Sequence, residues 1–293
     1  MSRAYFVDEV GRQAYLKDVA LRFMTVKRKS PGTFPPETQT MTMQVSAPPG
    51  WPDGRQLEVR VHRIGKGKRA LLVHGWQSQA ADLHTLSETL VDGGFEVWMP
   101  DLPAHGYSSG TYLSLPLAAA TLKAVQSLAG SFSLAIGHSY GGASVMHAID
   151  CGLHADRVAV LASPTHYGRF ARRAADRAGL PLSAVPEWLE LVATMTGTHP
   201  DEISMEQQVA KLTLPILLIH GTDDQIIPIG QSEAVAARYP LTTWLPLHGI
   251  GHFDLLINDF ALKSIVNFGL DTNPYPGPLI AAARTGSINP AIT

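Results

Sequence analysis

The chain has 293 residues, of which 45% are hydrophobic and 16% are charged, and its formal net charge is −2. The 23 basic and 25 acidic residues give no electrostatic field that would gather nucleic acid or hold a membrane surface. No apolar run reaches the roughly 18 residues of a transmembrane helix, and the N-terminus lacks the apolar core of a secretory signal. The single cysteine, Cys151, suits a reducing compartment. We therefore expect a soluble, cytoplasmic globular protein; composition carries no signal for an oligomeric state.

The first 40 residues form a segment of their own, rich in basic residues near its middle. Four apolar residues recur at three- and four-residue spacing, as on one face of a helix: Leu16, Val19, Phe23 and Val26. Three basic residues follow, as the C-terminus of a helix favours: Lys27, Arg28 and Lys29. Two interpretations are open. This N-terminal helical arm either makes a weak contact with a membrane surface or a partner, or packs on its own domain.

From residue 41 onward, apolar strand patterns alternate with helical ones. The predicted strands span residues 41–47, 57–64, 70–74, 95–99, 132–137, 158–162, 214–220 and 243–247. The predicted helices between the later strands span residues 82–90, 116–128, 143–150, 232–238 and 255–268. Turn signals join the first strands, which predicts hairpins, whereas the later strands are near-continuous apolar runs. Such runs are typical of a parallel sheet that is buried on both faces. The expected fold is α/β, with a mostly parallel, eight-stranded sheet flanked by helices.

About fifty residues interrupt this alternation between residues 164 and 213. Helical patterns there cover residues 168–178, 186–196 and 200–211, and we expect this insertion to form a small helical lid over the C-terminal ends of the strands. The predicted organisation is therefore an arm at 1–40, a core at 41–163 and 214–270, a lid at 164–213, and a C-terminal tail without regular structure at 271–293.

The stretch from Gly137 to Gly141 reads Gly-x-Ser-x-Gly, with Ser139 at its centre. The motif alone is weak, but here an apolar strand precedes it and a helix of small residues follows. A serine on such a tight strand-to-helix turn projects its hydroxyl from the edge of the sheet, where it can act as a nucleophile. The alternative, a glycine-rich turn that merely packs, is disfavoured by this context.

A serine nucleophile needs a base and an orienting acid. We assign the acid to Asp224, which follows the strand at 214–220, and regard the neighbouring Asp223 as a solvated loop residue. We assign the base to His252, on a glycine-rich loop after the last strand; His248, at the end of that strand, is its nearest rival. The predicted catalytic residues are thus Ser139, Asp224 and His252, in that chain order.

An oxyanion hole requires two N–H donors. We expect one from the backbone of Tyr140, directly after the nucleophile, and the other from the backbone of Trp76, on the loop after the strand at 70–74. His74 resembles a base or ligand, but we interpret it as a structural residue that forms a hydrogen bond within its own loop.

Taken together, these motifs resemble the α/β-hydrolase superfamily over residues 41–270. The matching stretches are Val73-His74-Gly75-Trp76, Asp101-Leu102-Pro103-Ala104-His105-Gly106-Tyr107-Ser108, Gly137-His138-Ser139-Tyr140-Gly141-Gly142, His220-Gly221-Thr222-Asp223-Asp224 and Gly251-His252. The superfamily usually has glycine where Ala104 stands. The resemblance is nearest to small bacterial esterases and lysophospholipase-like members with a short helical lid, and it implies the fold and the triad named above.

No signature of a cofactor or metal site is present, since the 12 histidines are scattered and neither His-Glu-x-x-His nor Gly-x-Gly-x-x-Gly occurs in a suitable context. We therefore expect no cofactor and no metal. The candidate substrate-pocket residues are Tyr167, Trp188 and Met195. An apolar lid roof over the nucleophile is predicted from these three together with Phe170, Leu189 and Val192. Four lid arginines either form a solvated helix face or select an anionic substrate: Arg169, Arg172, Arg173 and Arg177.

The predicted function is that of a serine hydrolase that cleaves a small-molecule carboxylic ester, thioester or amide through an acyl-enzyme intermediate. We expect broad acceptance of short-to-medium acyl chains, because an apolar pocket discriminates poorly between neighbouring chain lengths. Acyl transfer, C–C bond hydrolysis and cofactor-free perhydrolysis use the same triad and are the alternatives. A non-catalytic binding scaffold is the contrasting class, and its usual sign, a missing triad member, is not found.

Overall fold

The computed structural model describes residues 8–271, and the predicted tail lies outside these residues apart from Asp271. Within them, eight strands form one sheet. The strands are β1 Gln39–Ser46, β2 Gln56–Gly65, β3 Lys68–Val73, β4 Phe95–Pro100, β5 Leu134–His138, β6 Val158–Leu161, β7 Ile216–Gly221 and β8 Thr242–Leu247. All eight match predicted strands within two residues at both ends, which confirms the expected fold class.

The spatial order of the strands is β1-β2-β4-β3-β5-β6-β7-β8. The strand β2 is antiparallel to both of its neighbours, β1 and β4, and every other pairing is parallel. The predicted hairpin of the first strands is therefore confirmed for β1 and β2. From β3 the chain crosses first to β4 on one side and then to β5 on the other. The direction in which successive strands are added therefore reverses beside the C-terminal end of β3. Open α/β sheets bind ligands at such a switch point.

Two apolar cores cover the two faces of the sheet, because alternate strand residues point to opposite sides. On β3, Leu71 and Val73 enter one core, while Ala70 and Leu72 enter the other. The strand β7 divides in the same way. Burial on both faces explains why the central strands read as continuous apolar runs.

Nine α-helices lie within the described residues. They are α1 Glu9–Met24, α2 His84–Asp92, α3 Leu115–Ala129, α4 Tyr140–Asp150, α5 Tyr167–Arg177, α6 Val185–Thr196, α7 Met205–Gln208, α8 Gly230–Ala236 and α9 Asp259–Leu270. Helices α3, α4 and α8 contribute to the first core, and α2 and α9 contribute to the second. Ser114 and Asn258 cap the N-termini of α3 and α9 by accepting hydrogen bonds from backbone N–H groups, which explains where these helices begin.

The segment between β6 and β7 contains α5, α6 and α7, but the predicted third helix at 200–211 is wrong in extent. The structure breaks it into two 3₁₀ turns and the four-residue α7. The cause is a long-range pairing, since the N–H of Tyr167 donates to Ile203 O and the N–H of Met205 donates to Thr165 O. These bonds hold residues 203–204 in an extended conformation that a helix cannot include.

Helix α1 packs on the inserted helices. Its buried residues Leu16, Val19 and Ala20 share an apolar cluster with residues of α5 and α6, and Arg12 forms an ion pair with Glu187 of α6. Of the two interpretations of this segment left open by the sequence, the structure shows the one in which the helix packs on its own domain.

The end of α1 differs from the prediction. The helix ends at Met24, so Val26 and the basic run Lys27, Arg28 and Lys29 lie beyond it. The chain leaves the helix because the N–H of Val26 donates to Thr111 O at 2.9 Å and residues 25 and 112 form a bridge. Among residues 8–271, no helix is both long and apolar enough to cross a membrane.

Candidate active site

The predicted nucleophile and the predicted oxyanion loop follow two strands that are direct neighbours. The strands β3 and β5 pair in parallel, with Val73 opposite Gly137. Their C-terminal ends therefore bring residues 74–76 beside residues 138–140. A Cβ atom added to Gly75 would lie 3.1 Å from Cβ of Ser139. The backbone of the loop thus passes directly beside the serine.

Ser139 occupies a strained turn between β5 and α4. Its φ of 53° and ψ of −124° are unfavourable for a residue with a side chain and cost on the order of 1–3 kcal/mol. Close approach of strand and helix requires the flanking glycines, because a Cβ at Gly137 would lie 2.4 Å from Gly141 C and one at Gly141 would lie 2.3 Å from Val73 O. The N–H of Ser139 donates to Leu161 O at 2.8 Å, which fixes the turn against β6.

His252 and Asp224 lie in contact. The N–H at Nδ1 of His252 donates to Asp224 Oδ2 at 2.7 Å, so this tautomer leaves Nε2 free to accept a proton. Asp224 Oδ1 accepts the N–H groups of Ile226 and Ile227, both at 2.8 Å. Burial acts to raise the pKa of Asp224, but the hydrogen bonds from His252, Ile227 and Ile226 outweigh it, and the pKa is lowered. The carboxylate is therefore ionised and its position fixed.

The two rival residues lie outside this arrangement. Asp223 is exposed, and its carboxylate accepts a hydrogen bond from the neighbouring Thr222 hydroxyl. His248 is exposed as well, whereas His252 is buried. The structure thus brings Asp224 and His252 together, and it does not bring Asp223 or His248 to them.

His138 links the serine turn to the base. Its Nε2–H donates to the carbonyl oxygen of His252 at 2.9 Å, and the two rings are 4.7 Å apart. Burial, followed by the nearby His252, lowers the pKa of His138 to about 4. A neutral His138 thus ties the backbone of His252 to the residue that precedes Ser139. Within the described chain, Ser139 Oγ has no hydrogen-bond partner; serine–histidine contacts are often loose without a ligand and tighten in the reacting complex.

His220 is a second histidine on the same carboxylate, and the sequence analysis missed it. Its Nε2 lies 3.1 Å from Asp224 Oδ2 and 2.9 Å from Ile227 O, and its Nδ1 lies 2.7 Å from Ser232 Oγ. Burial lowers the pKa of His220, so the ring is neutral. With the proton on Nε2, this N–H donates to Ile227 O and also faces Asp224 Oδ2, while Nδ1 accepts from the Ser232 hydroxyl. The signal in the sequence was a histidine at the C-terminal end of an apolar strand, four residues before the predicted acid.

The two expected oxyanion donors are backbone N–H groups without an acceptor among the described residues. The N–H of Tyr140 belongs to the first turn of α4, where no intrahelical acceptor exists. Neither this N–H nor that of Trp76 donates to an acceptor within residues 8–271. The two side-chain rings meet edge to face at 5.1 Å, so the loop and the helix start are packed together.

Two buried histidines hold the Trp76 loop. The Nε2 atom of His105 accepts the N–H of Gln77 at 3.0 Å, and the Nε2 atom of His74 accepts the N–H of Leu102, also at 3.0 Å. Each ring donates from Nδ1 to a carbonyl oxygen, Pro103 O for His105 and Gly75 O for His74. The structural interpretation of His74 therefore agrees with its contacts.

Both of these histidines must be neutral in order to accept hydrogen bonds. Burial lowers the pKa of His74. Burial, together with the nearby His74, lowers the pKa of His105 to about 3. Ala104, beside His105, adopts a φ of 69°, which favours glycine and accounts for the glycine usual at this position in the resembling proteins.

The predicted pocket residues separate into two groups. Tyr167 lines a narrow apolar cavity with Tyr140, Phe170 and Met205, and its free space of about 10 Å³ is that of a single water molecule. Trp188 is instead fully buried against Phe23 of α1, at 5.5 Å between rings.

The predicted apolar roof from α6 is not found over the serine. Leu189 and Val192 are buried with Trp188 between α6 and α1, and Met195 packs at the border of this cluster and the first core. The spacing of these residues does place them on one face. That face is covered by the N-terminal helix, whose position the local sequence could not reveal.

The four arginines of α5 differ in their surroundings. Arg172 forms a two-pronged ion pair with Asp201, which lowers the pKa of that aspartate, and Arg169 lies 3.6 Å from Glu206. Arg173 is exposed. Arg177 lines an open cleft between α1, α5 and the Trp76 loop. Across the described residues, no group of three or more potential metal-ligating side chains is found.

Residues 70–259 match the family model described as "Alpha/beta hydrolase family". This range includes Ser139, Asp224 and His252. The chain belongs to the alpha/beta hydrolase family. The resemblance inferred from the motifs is thereby confirmed.

Individual similar proteins are more distant. A pimeloyl-[acyl-carrier protein] methyl ester esterase from Xanthomonas campestris is 24% identical, covering 66% of this chain and 91% of that protein. A bromoperoxidase from Bacillus anthracis superimposes with a TM-score of 0.61 at 16% identity, covering 79% of this chain and 100% of that one. A thermophilic esterase from Thermogutta terrifontis superimposes with a TM-score of 0.58 at 19% identity, covering 78% of this chain and 96% of that one. These similarities establish the fold.

Proposed function

We propose that this hydrolase cleaves carboxylic esters through an acyl-enzyme formed on Ser139. The observation that carries the proposal is the 2.7 Å hydrogen bond from His252 to the ionised Asp224, next to a serine held in a strained strand-to-helix turn. Strain of this kind persists at functional sites where the surrounding structure enforces it. A turn that merely packed would have no need of the buried acid–base pair.

In the proposed mechanism, Ser139 Oγ attacks the ester carbonyl while Nε2 of His252 takes its proton. Asp224 holds the ring in the correct tautomer and stabilises the imidazolium. The N–H groups of Trp76 and Tyr140 stabilise the oxyanion, and the N-terminus of α4 adds its positive dipole end. His252 then returns the proton to the leaving alcohol. Water, activated by the same histidine, hydrolyses the acyl-enzyme and releases the acid.

The choice of an ester among the possible substrates is supported by two similarities. One relative is named a methyl ester esterase, and one structural neighbour is named an esterase. Serine as the nucleophile also suits acyl chemistry, since alkyl halides and epoxides are usually attacked by a carboxylate. We propose a small or medium ester with a substantial apolar part, accepted over a range of acyl lengths.

A fluorophosphonate probe tests the nucleophile directly. We expect covalent labelling of the wild type and none of Ser139→Ala. A series of p-nitrophenyl esters from acetate to octanoate then gives kcat/KM as a function of acyl length. Absence of both labelling and turnover, in a protein with native circular dichroism, would favour a non-catalytic binding scaffold.

A further inference from the structure

A cleft of about 450 Å³ opens beside the oxyanion loop, and the N-terminal helix forms one of its walls. Its volume is within the range of small-molecule sites. Apolar side chains from three parts of the chain line it: Phe23 at the C-terminal end of α1, Trp76 on the oxyanion loop, and Phe170 on α5. The rim carries three cations, Arg22, Lys27 and Arg177, and no acidic residue among residues 8–271 lines it.

Trp76 connects this cleft with the reaction centre. Its ring contacts Tyr140, the residue after the nucleophile, at 5.1 Å, and its backbone N–H is the proposed oxyanion donor. The neighbouring cavity at Tyr167 holds only about one water molecule. The cleft, in contrast, borders the Trp76 loop and has room for the remainder of a substrate.

Two of the rim cations are free to bind a ligand, whereas most basic residues around them are engaged. Arg22 pairs with Asp18, Lys29 pairs with Asp82 at 3.0 Å, and Arg28 donates to the carbonyl oxygens of residues 104 and 110. On α5, Arg169 and Arg172 have acidic partners. In the described chain, Lys27 and Arg177 have no acidic partner, and both line the cleft.

The backbones that carry these two cations are fixed to the rest of the fold. Next to Lys27, the N–H of Val26 donates to Thr111 O at 2.9 Å. Next to Arg177, the carbonyl oxygen of Ala178 accepts the hydroxyl of Tyr15 at 3.1 Å, which ties α5 to α1. The two cations thus line one cleft from two different parts of the chain, and little ordering of the backbone is required when an anion binds.

We propose that Lys27 and Arg177 bind an anionic group, a carboxylate or phosphate, on the same molecule as the ester. The apolar floor accommodates the segment that separates this anion from the scissile carbonyl. The inference rests on the proposed ester hydrolysis and specifies its substrate class: a monoester that carries a negative charge at its far end. The N-terminal helix then has a role in substrate selection.

Matched esters test the proposal. The mono-p-nitrophenyl ester of adipic acid carries a terminal carboxylate, and its methyl-capped analogue is neutral and of similar length. For the wild type, we expect kcat/KM to favour the anion about three- to tenfold, mainly through KM, as for two partly exposed ion pairs. The ratio should fall as salt is raised to about 0.5 M, because screening weakens exposed charges. A p-nitrophenyl 6-(phosphonooxy)hexanoate compares phosphate with carboxylate, and a preference for either anion supports the site.

A pair of double variants separates the cleft from general electrostatics. Lys27→Gln/Arg177→Gln removes both cleft cations and should bring the ratio of the carboxylate to the neutral ester to about one. Lys17→Gln/Arg173→Gln removes the same charge from exposed positions on α1 and α5 outside the cleft, and should keep the ratio. Equal kcat/KM for anionic and neutral esters in the wild type, or an equal loss of preference in both doubles, overturns the proposal.

Binding without turnover distinguishes failure of this proposal from failure of the proposed function. Calorimetry on Ser139→Ala with monomethyl adipate and with dimethyl adipate needs no chemical step. Tighter binding of the monoanion, lost on adding Lys27→Gln/Arg177→Gln, supports the anion site even if no ester is hydrolysed. Equal binding of the two esters rejects the anion site even if Ser139 reacts with the fluorophosphonate.

Discussion

On the base side of Ser139, His252 and His220 contact the Asp224 carboxylate, whereas on the oxyanion side, the hydrogen bonds of His74 and His105 go only to backbone groups. The base side must gain and lose a proton in each turnover, and an ionised carboxylate stabilises its charged state. The oxyanion side must keep its N–H groups in one place at constant charge. Deep burial lowers the pKa of its histidines so far that they stay neutral. The same residue type therefore serves as the proposed proton acceptor on one side and as a fixed dipole on the other.

The base side should show the largest loss on a single substitution. Asp224→Asn keeps the shape of the side chain but no longer fixes the productive tautomer of His252, so kcat should fall by on the order of 10⁴. Steady-state kinetics on a p-nitrophenyl ester measures this fall in kcat. The exposed neighbour provides the control, since Asp223→Asn should stay close to the wild type. The reverse ranking of the two variants would refute the assignment of the acid.

On the oxyanion side, loss of the histidine that accepts a backbone hydrogen bond should lower kcat without changing the pH dependence of kcat. His105→Phe leaves the N–H of Gln77 unpaired and frees the Trp76 loop to move. A misplacement of about 1 Å costs on the order of 10² in kcat. His105→Gln retains an acceptor and should recover most of that loss. The comparison between the two sides fails if the His105→Phe variant shifts the pH profile of kcat.

Acid should destabilise the fold through the oxyanion side. The pKa of His105 is about 3 in the folded protein and 6.5 in an unfolded chain. Between these values the unfolded chain binds more protons, so the free energy of unfolding falls as pH falls from 6.5 toward 3, by up to about 1.4 kcal/mol per pH unit for this group. His105→Gln should flatten the curve in this window and leave its slope above pH 7 unchanged. Urea unfolding at a series of pH values measures both curves, and coincident slopes below pH 6 would contradict the neutral state of His105.

The smallest predicted effect concerns His220. Its N–H helps to neutralise Asp224; without it, the carboxylate attracts the imidazolium of His252 more strongly. The acid limb of the kcat/KM profile should therefore move to higher pH in His220→Phe. A hydrogen bond of about 0.5–1.5 kcal/mol corresponds to a shift of about 0.5–1 pH unit.

His220→Gln is the matched control, because its amide N–H can replace the lost donor and keep the limb near its wild-type position. A merely structural role of His220 would lower kcat/KM at all pH values without moving the limb. That outcome would mean that His252 and Asp224 alone set the acid limb and that His220 has no part in it.

The sequence predicted the features that depend on neighbouring residues. The strand, turn and helix around Ser139 are contiguous, so their pattern was sufficient to place the serine on a tight turn. The continuous apolar runs of β5 to β7 predicted a sheet buried on both faces for the same reason. Asp224 could be chosen over Asp223 from its position in the loop, and the two residues do differ in burial and contacts.

Features that depend on distant residues were not predictable in this way. The apolar face of α6 has the right spacing for a roof, but nothing in residues 185–196 shows that α1 covers it. The pattern at 200–211 is helical, yet bonds to residues 165–167 interrupt it. The position of His220 was too weak a signal to predict its contact with Asp224, because a histidine at the end of an apolar strand is more often only packed.

The docking of α1 on the inserted helices has a consequence for the synthesis of the chain. Arg12 and its partner Glu187 are 175 residues apart, and at about 5–20 residues per second the ribosome needs about 9–35 s to make that distance. The helix α1 therefore leaves the ribosome well before the helices that bury Leu16, Val19 and Ala20. This apolar stripe is narrow and flanked by charged residues, which limits its aggregation while the nascent chain lacks its partner.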